Sequence, residues 1–181
     1  MKEPLSLRQD EIKMLRFIMP DKNKYTVEVV NTKNGFIRQH YSCHLHSPIL
    51  IMMHEENTIW ENAHSSILYT FTVNGRDLIL QSCVEKNHSE EYEEIHPTGY
   101  PYIRLPLMPN QKVSWQYQLG ECIRINCTSN YTKQMVDGID HNALMVHRIV
   151  EYSDTHLSNA FLSVECYVDG LGIQTKKLVY C

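Results

Sequence analysis

The sequence predicts a mainly β protein, with a curved antiparallel sheet (a half-barrel or an open barrel-like meander) and one short N-terminal helix. Short β-prone runs recur along the 181 residues, and Asn-Gly and Asp-Gly pairs separate several of them. The chain has no alternation of strands with helical segments, which a parallel sheet would require. We therefore expect residues 1–20 to form a helical segment and residues 21–181 to form a single antiparallel β domain.

The helix is predicted from Ser6 to Ile18. Ser6 and Gln9 match a capping box, in which each side chain satisfies a backbone N–H of the first turn. Pro20 ends the segment because it disfavours helical geometry in the residue before it. A partial apolar stripe consists of Leu7, Ile12, Leu15 and Ile18. We expect this helix to cover one face or edge of the sheet.

About ten strands are predicted after the helix, and turn pairs join several of them into hairpins. The run Pro48–Met53 is apolar throughout and is predicted to be buried on both faces. Residues Glu85–Pro101 are rich in glutamate and are predicted to form an exposed loop. The other segments predicted to be extended are 25–30, 36–45, 67–73, 78–80, 102–105, 113–117, 122–126, 131–136, 143–150, 158–168 and 173–180.

Composition and charge exclude several classes of partner. The net charge is −4 with a pI near 6.2, and the basic residues are scattered, so nucleic acid is not an expected partner. No apolar run is long enough to predict a membrane-spanning helix. The N-terminus lacks an apolar signal segment, so we expect a cytoplasmic protein with reduced thiols, or an envelope or secreted protein if its N-terminus has been processed. No cofactor is expected.

A histidine cluster is the candidate metal site. His40, His44 and His46 alternate along one predicted strand, and this spacing places them on one face. Imidazole is a good zinc ligand, and a fourth ligand could come from His54 or His64. The alternative is an ordinary polar outer face of a strand.

Aromatic side chains are the candidate ligand-binding residues. Curved sheets can form apolar pockets on their concave face, and aromatic residues often line such pockets. Ordinary packing within the sheet is the alternative interpretation. The candidates are Trp60, Tyr102, Trp115, Tyr117 and Tyr167. Catalytic residues are not predicted, because the chain has no nucleophile elbow and no phosphate-binding loop. Cys122 and Cys127 are predicted to be buried free thiols.

The C-terminal part of the chain carries a resemblance to a known group of proteins. A proline break at 106–109 precedes Gln111–Tyr117, which contains the motif Trp-Gln-Tyr. Val136–Val150 and Glu165–Lys176 follow, the latter containing Cys-Tyr-Val-Asp-Gly-Leu-Gly-Ile. This order resembles bacterial lipoprotein-like β-domains of unknown function, which are similar to the half-barrel carriers that shuttle lipoproteins. The resemblance implies a half-barrel fold and no catalytic residues.

Three functions are compatible with these features. The first is a non-enzymatic β-domain that binds a hydrophobic small molecule or a protein segment on its concave face. The second is a metal-binding domain or metal-assisted hydrolase that uses the three histidines. The third is a structural subunit that associates through a sheet edge. The sequence leaves the oligomeric state open.

Overall fold

The computed structural model describes residues 7–21, 24–31, 35–47, 50–60, 63–86, 92–94, 99–119, 121–152 and 161–180. In these ranges the chain forms one helix and twelve strands. The elements are α1 (Gln9–Ile18), β1 (Lys24–Asn31), β2 (Gly35–Ser47), β3 (Leu50–Trp60), β4 (Ala63–Asn74), β5 (Asp77–Lys86), β6 (Tyr92–Glu94), β7 (Tyr100–Arg104), β8 (Lys112–Leu119), β9 (Ile123–Val136), β10 (Ile139–Tyr152), β11 (Phe161–Val168) and β12 (Gly172–Tyr180).

The strands form two antiparallel halves joined at one junction. Their order in the sheet is β6-β5-β4-β3-β2-β1-β12-β11-β10-β9-β8, and β7 also pairs with β5. β6 and β8, at the two ends of this order, are not paired with each other in the described part of the chain, so the sheet stays open. The predicted fold class, a mainly β antiparallel sheet with one short helix, is confirmed.

The junction between the two antiparallel halves is parallel, which the sequence patterns did not indicate. β1 pairs with β12 from Val29 opposite Lys176 onward. The helix explains this direction. Gly170 N donates to Arg16 O at 2.8 Å, and Asp21 N donates to Gly170 O at 2.9 Å. The chain therefore leaves the helix beside the turn from which β12 begins, and both strands run away from the same end.

The start of the helix differs from the prediction. The helix begins at Gln9, and the residue before it, Arg8, has extended backbone angles. Glu11 supplies the cap by accepting the Arg8 backbone N–H at 2.8 Å. It also accepts the Gly75 N–H at 3.1 Å, which ties the helix to the β4–β5 turn. Ser6, the predicted cap, lies outside the described residues, and Leu7 is not helical.

The buried face of the helix also differs from the predicted stripe. Met14, Phe17 and Ile18 are buried in the core, whereas Ile12 is 46 % exposed. The spacing from Met14 to Phe17 and Ile18 places these three side chains on one helical face. The helix lies across the ends of β4, β11 and β12, and it closes that end of the sheet.

Three strand predictions need correction. Apart from Cys122, the segments 122–126 and 131–136 belong to one strand, β9, because its partner β10 continues through the interval between them. Part of the predicted loop Glu85–Pro101 is strand β6, which pairs with the edge of β5; residues 87–91 and 95–98 lie outside the described ranges. In β3, Ile51 is buried but Met52 is only half-buried, so this strand is buried on one face.

The inward-facing side chains change from apolar to polar along the strands. Beneath the helix lies an apolar layer that includes Ile51, Phe71, Leu78, Leu144 and Ile173, each at most 3 % exposed. Farther from the helix on these strands, inward positions become polar, with Glu55 on β3 and Arg148 on β10. Glu55 and Arg148 are four residues beyond Ile51 and Leu144, so the polar layer lies about 13 Å from the apolar one along the strands. The interior therefore has an apolar layer next to the helix and a polar layer farther from it.

Candidate functional site

The polar layer forms one group of side chains, here called the interior cluster. Its members come from both halves of the sheet and from β7, and they contact one another or interact electrostatically across the interior. The interior cluster consists of Gln39, Tyr41, Glu55, Tyr69, Tyr102, Arg148, Ser163, Glu165, Tyr167 and Lys176.

Strand periodicity puts the charged members inside. Arg148 follows Leu144 and Val146 in steps of two, and all three are buried. Glu55 stands in the same relation to Ile51 and Met53. A charged residue therefore occupies a position that alternation assigns to the core. Burying a charge is costly unless a partner compensates it, so each of these residues requires one.

The Arg148 guanidinium contacts both Glu165 and Tyr102. Its Nη1 lies 2.5 Å from Oε2 of Glu165, and the two side chains are 6 % and 4 % exposed. Its Nη2 donates to the carbonyl oxygen of Tyr102 at 3.0 Å. The guanidinium also lies over the Tyr102 ring, 4.1 Å from the ring centroid, where a cation is attracted by the π face.

The Glu165 carboxylate accepts hydrogen bonds from several side chains. Tyr167 donates its hydroxyl to Oε2 at 2.6 Å, and Ser163 donates to Oε1 at 3.2 Å. Burial alone would raise the pKa of Glu165, but Arg148, Lys176 and the Tyr167 hydroxyl hold it below its ordinary value. Glu165 is therefore an ionised carboxylate in the core.

A second buried carboxylate, Glu55, lies on β3 in the other half of the sheet. Glu55 accepts a hydrogen bond from Gln39 Nε2 at 2.7 Å, and Gln39 in turn accepts the Tyr41 hydroxyl at 2.7 Å. Lys176 Nζ lies 3.9 Å from Glu55 Oε2. The four charged members, two acids and two bases, therefore balance within the cluster.

The buried tyrosines serve as neutral donors. Burial, and then the nearby carboxylates Glu55 and Glu165, raise the pKa values of Tyr41, Tyr69 and Tyr167 well above the ordinary value. Each keeps its proton at neutral pH. The hydroxyls of Tyr69 and Tyr167 therefore stabilise the two carboxylates by hydrogen bonds without adding charge, and the Tyr41 hydroxyl donates to Gln39.

One donor in the interior cluster has no acceptor. The Nε–H of Arg148 is buried and has no hydrogen-bond partner among the described residues. A buried polar group left unpaired costs roughly 1–3 kcal/mol. This donor lies on a side chain whose other two nitrogens are bonded, so its direction is fixed. It is the group in the cluster best placed to receive an acceptor from outside the chain.

Two of the five predicted aromatic residues belong to the cluster. Tyr102 packs between the two halves, with its ring centroid 5.1 Å from that of Phe71 and 6.4 Å from that of Tyr69. Tyr167 is 3 % exposed and bonds Glu165. Trp60 ends β3, but its side chain lies outside the described part.

The other two aromatic residues face β7. Trp115 Nε1 donates to the carbonyl oxygen of Pro101 at 2.8 Å, and the Tyr117 ring stacks on Tyr100 with centroids 4.0 Å apart. The space in front of these rings on the inward face is therefore filled by this chain's own strand. Farther along β7, the carbonyl of Arg104 accepts the Ser129 hydroxyl.

The predicted histidine cluster lies on the outer face of β2. His40, His44 and His46 are exposed, as the alternation predicted, and Cys43 is buried on the opposite face. A register shift between Leu45 and Ser47 interrupts the pairing with β3 at His46. No group of three or more His, Cys, Asp or Glu side chains suited to a metal ion occurs among the described residues. The metal site stays a prediction.

Cys122 and Cys127 differ in solvent exposure. Cys127 is buried and free, as predicted, but Cys122 is exposed because it lies in the β8–β9 turn before the strand begins. A cavity of about 200 Å³ opens beside this turn, between Gln118, Arg124 and Tyr152. Tyr102, Trp115, Tyr117 and Tyr167 are not among the residues that line it.

Sequence reasoning missed the charged members of the interior cluster. The signal was present, because Arg148, Glu165 and Glu55 each stand in phase with apolar residues of an alternating strand. A charged residue at an inward position predicts a buried pair, but the pattern does not identify the partner. That partner depends on which strands meet across the interior.

Comparisons with known proteins give no further assignment. Protein-family models, curated proteins and solved structures contain no match to this chain. The resemblance to lipoprotein-like β-domains stays a prediction. No helix among the described residues has the length and apolar character needed to cross a membrane.

Proposed function

We propose that this chain is a non-catalytic binding domain that holds an apolar ligand between the two halves of its open sheet. The ligand's apolar part would lie toward the layer that contains Phe71, and its polar end would reach the interior cluster. The observation that carries the proposal is the buried Nε–H of Arg148, which has no acceptor among the described residues. A ligand oxygen would satisfy it.

Charge balance narrows the chemistry of the ligand. The acids Glu55 and Glu165 are matched by the bases Arg148 and Lys176. A ligand carboxylate would add a buried negative charge without a counter-ion, at a large cost in free energy. A carbonyl of an ester or amide accepts a hydrogen bond without adding charge. The cluster therefore favours a neutral acceptor on an apolar molecule.

The bonding of the carboxylates supports binding over catalysis. A general base must be free to accept a proton from a substrate. Glu165 already accepts hydrogen bonds from Arg148, Ser163 and Tyr167, and Arg148 and Tyr167 lower its pKa. A carboxylate so held orients its neighbours and is poorly suited to take up a proton.

Displacement of a fluorescent apolar dye tests this function. The dye N-phenyl-1-naphthylamine should bind the native protein saturably, with loss of the signal on unfolding in urea. Monoolein, which carries a neutral ester, should displace the dye, and oleate should do so about tenfold less well because of its charge. Absence of saturable binding by both the dye and monoolein would contradict the proposal. Equal displacement by oleate would remove the preference for a neutral group.

A further inference from the structure

Strand β8 offers an open edge. It lies at one end of the strand order and, in the described part of the chain, pairs only with β9. All eight of its residues, Lys112 to Leu119, pair in a regular register. In a strand paired on one side, alternate N–H and C=O groups point away from the neighbour. β8 therefore presents a row of backbone donors and acceptors on the side away from β9.

This edge lacks the features that usually prevent strands from pairing. Charged side chains, prolines, bulges and short length normally protect exposed edges. β8 has no charge and no proline from Val113 to Leu119. The other end of the sheet is different, since β6 is three residues long and contains Glu93 and Glu94. One end of the sheet therefore carries a short strand with two glutamates, and the other carries a strand that is uncharged from Val113 to Leu119.

We propose that β8 pairs antiparallel with β8 of a second copy of this chain, across a two-fold axis at Trp115. Residues directly opposite in an antiparallel pair lie on the same face, so exposed residues must meet exposed residues. With the axis at Trp115, Lys112 faces Gln118, and Ser114 faces Gln116. All four are exposed. Like charges do not meet, because Lys112 is the only charged residue of the strand.

The strand is already fixed in the conformation that pairing needs. On its inward face, Trp115 is 9 % exposed and bonds Pro101, and Tyr117 stacks on Tyr100. Pairing with a second copy would therefore require little additional ordering of the backbone, and ordering is a main cost of association. The result would be an isologous dimer in which the same strand serves both copies.

Sedimentation velocity with edge variants tests the dimer. Wild-type protein at about 100 µM should sediment as a species of twice the 21.2 kDa chain mass, since micromolar affinity suffices at that concentration. The variant S114K/Q116K adds two lysines to the edge and should be a monomer. The control I149K/T175K adds the same charge at exposed positions of paired strands and should remain a dimer. All three should have matching circular dichroism spectra.

Three outcomes overturn the proposal: a wild-type monomer at this concentration, a dimer retained by S114K/Q116K, or loss of the dimer in I149K/T175K. Cross-linking checks the register independently of affinity. In a C122S/C181S background, S114C/Q116C should give disulfide-linked dimers on oxidation, because opposite Cβ atoms lie about 5 Å apart. The parent C122S/C181S should give none, and equal cross-linking of both would also overturn the proposal.

Discussion

Arg148 and Glu165 form an ion pair in the core, with Nη1 and Oε2 2.5 Å apart. They lie on neighbouring strands, although the residue directly opposite Arg148 is Ser163. Replacement of such a pair by apolar groups is often neutral or stabilising, whereas removal of one partner is strongly destabilising. We therefore expect the loss of one partner to destabilise the fold more than the loss of both.

Double-mutant analysis of this pair should show strong coupling. Arg148→Met alone should lower the free energy of unfolding by about 3–5 kcal/mol, because it leaves Glu165 charged and unpaired. R148M/E165Q should recover at least half of that loss, since the amide oxygen still accepts the Tyr167 hydroxyl. Urea unfolding of the four proteins measures the coupling. Additive losses would contradict a compensated pair.

The Tyr167 hydroxyl should contribute measurably to stability. Tyr167→Phe removes a donor to a buried carboxylate and should cost about 1.5–3 kcal/mol. Tyr100→Phe is the matched control, because its ring stacks on Tyr117 and is retained in the variant. That control should change the free energy of unfolding by less than about 0.5 kcal/mol. Equal effects of the two substitutions would show that the hydrogen bond to Glu165 contributes little.

Acid should loosen the attachment of the helix through Glu11. Hydrogen bonds from Arg8 and from the Gly75 backbone lower the pKa of Glu11 from 4.5 to about 2. Because the folded pKa is the lower one, this carboxylate stabilises the fold above pH 4.5 and loses its contribution as the pH falls to about 2. Glu11→Gln should therefore reduce the difference in unfolding free energy between about pH 6 and pH 3.

The control for that measurement is Glu151→Gln, at an exposed position of β10. It should leave the pH dependence of stability close to that of the wild type. A pH dependence in Glu11→Gln equal to that of the wild type would show that the cap does not couple the helix to protonation.

Thiol reactivity should follow burial. Cys122 is exposed, whereas burial raises the pKa values of Cys127 and Cys166 to about 11. Iodoacetamide acts on thiolates, so native protein at about pH 8 should be labelled at Cys122 long before Cys127 or Cys166. Peptide mass spectrometry locates the label, and denatured protein supplies the reference. Rapid labelling of Cys166 in native protein would contradict its burial.

The sequence predicted the parts of the fold that depend on local chemistry. Asp137 and Gly138 both have positive φ, as an Asp-Gly hairpin turn requires, whereas in the final hairpin Gly170 and Gly172 have positive φ and Asp169 does not. β11 ends and β12 begins within one residue of the predicted bounds, whereas β9 joins two predicted segments and β10 begins four residues before its predicted start. The parallel β1–β12 junction was not predictable from such signals, because it depends on where the helix places Asp21.

The candidate site was only partly predictable for the same reason. Tyr102 and Tyr167 were identified as aromatic residues of β segments, and both line the interior cluster. Trp115 is satisfied by β7, a contact between segments that local patterns cannot specify. The ion pair of Arg148 and Glu165 likewise depends on the pairing of β10 with β11 and on the depth of both side chains.

Comparison of monoolein binding by wild type and R148M/E165Q tests the central claim most directly. The double variant keeps charge balance but removes the Nε donor, so its affinity for monoolein should fall about tenfold, as loss of one buried hydrogen bond implies. Arg124→Met, at an exposed arginine, should bind as the wild type does. Unchanged monoolein affinity in a folded R148M/E165Q protein would contradict a ligand-binding role for the interior cluster.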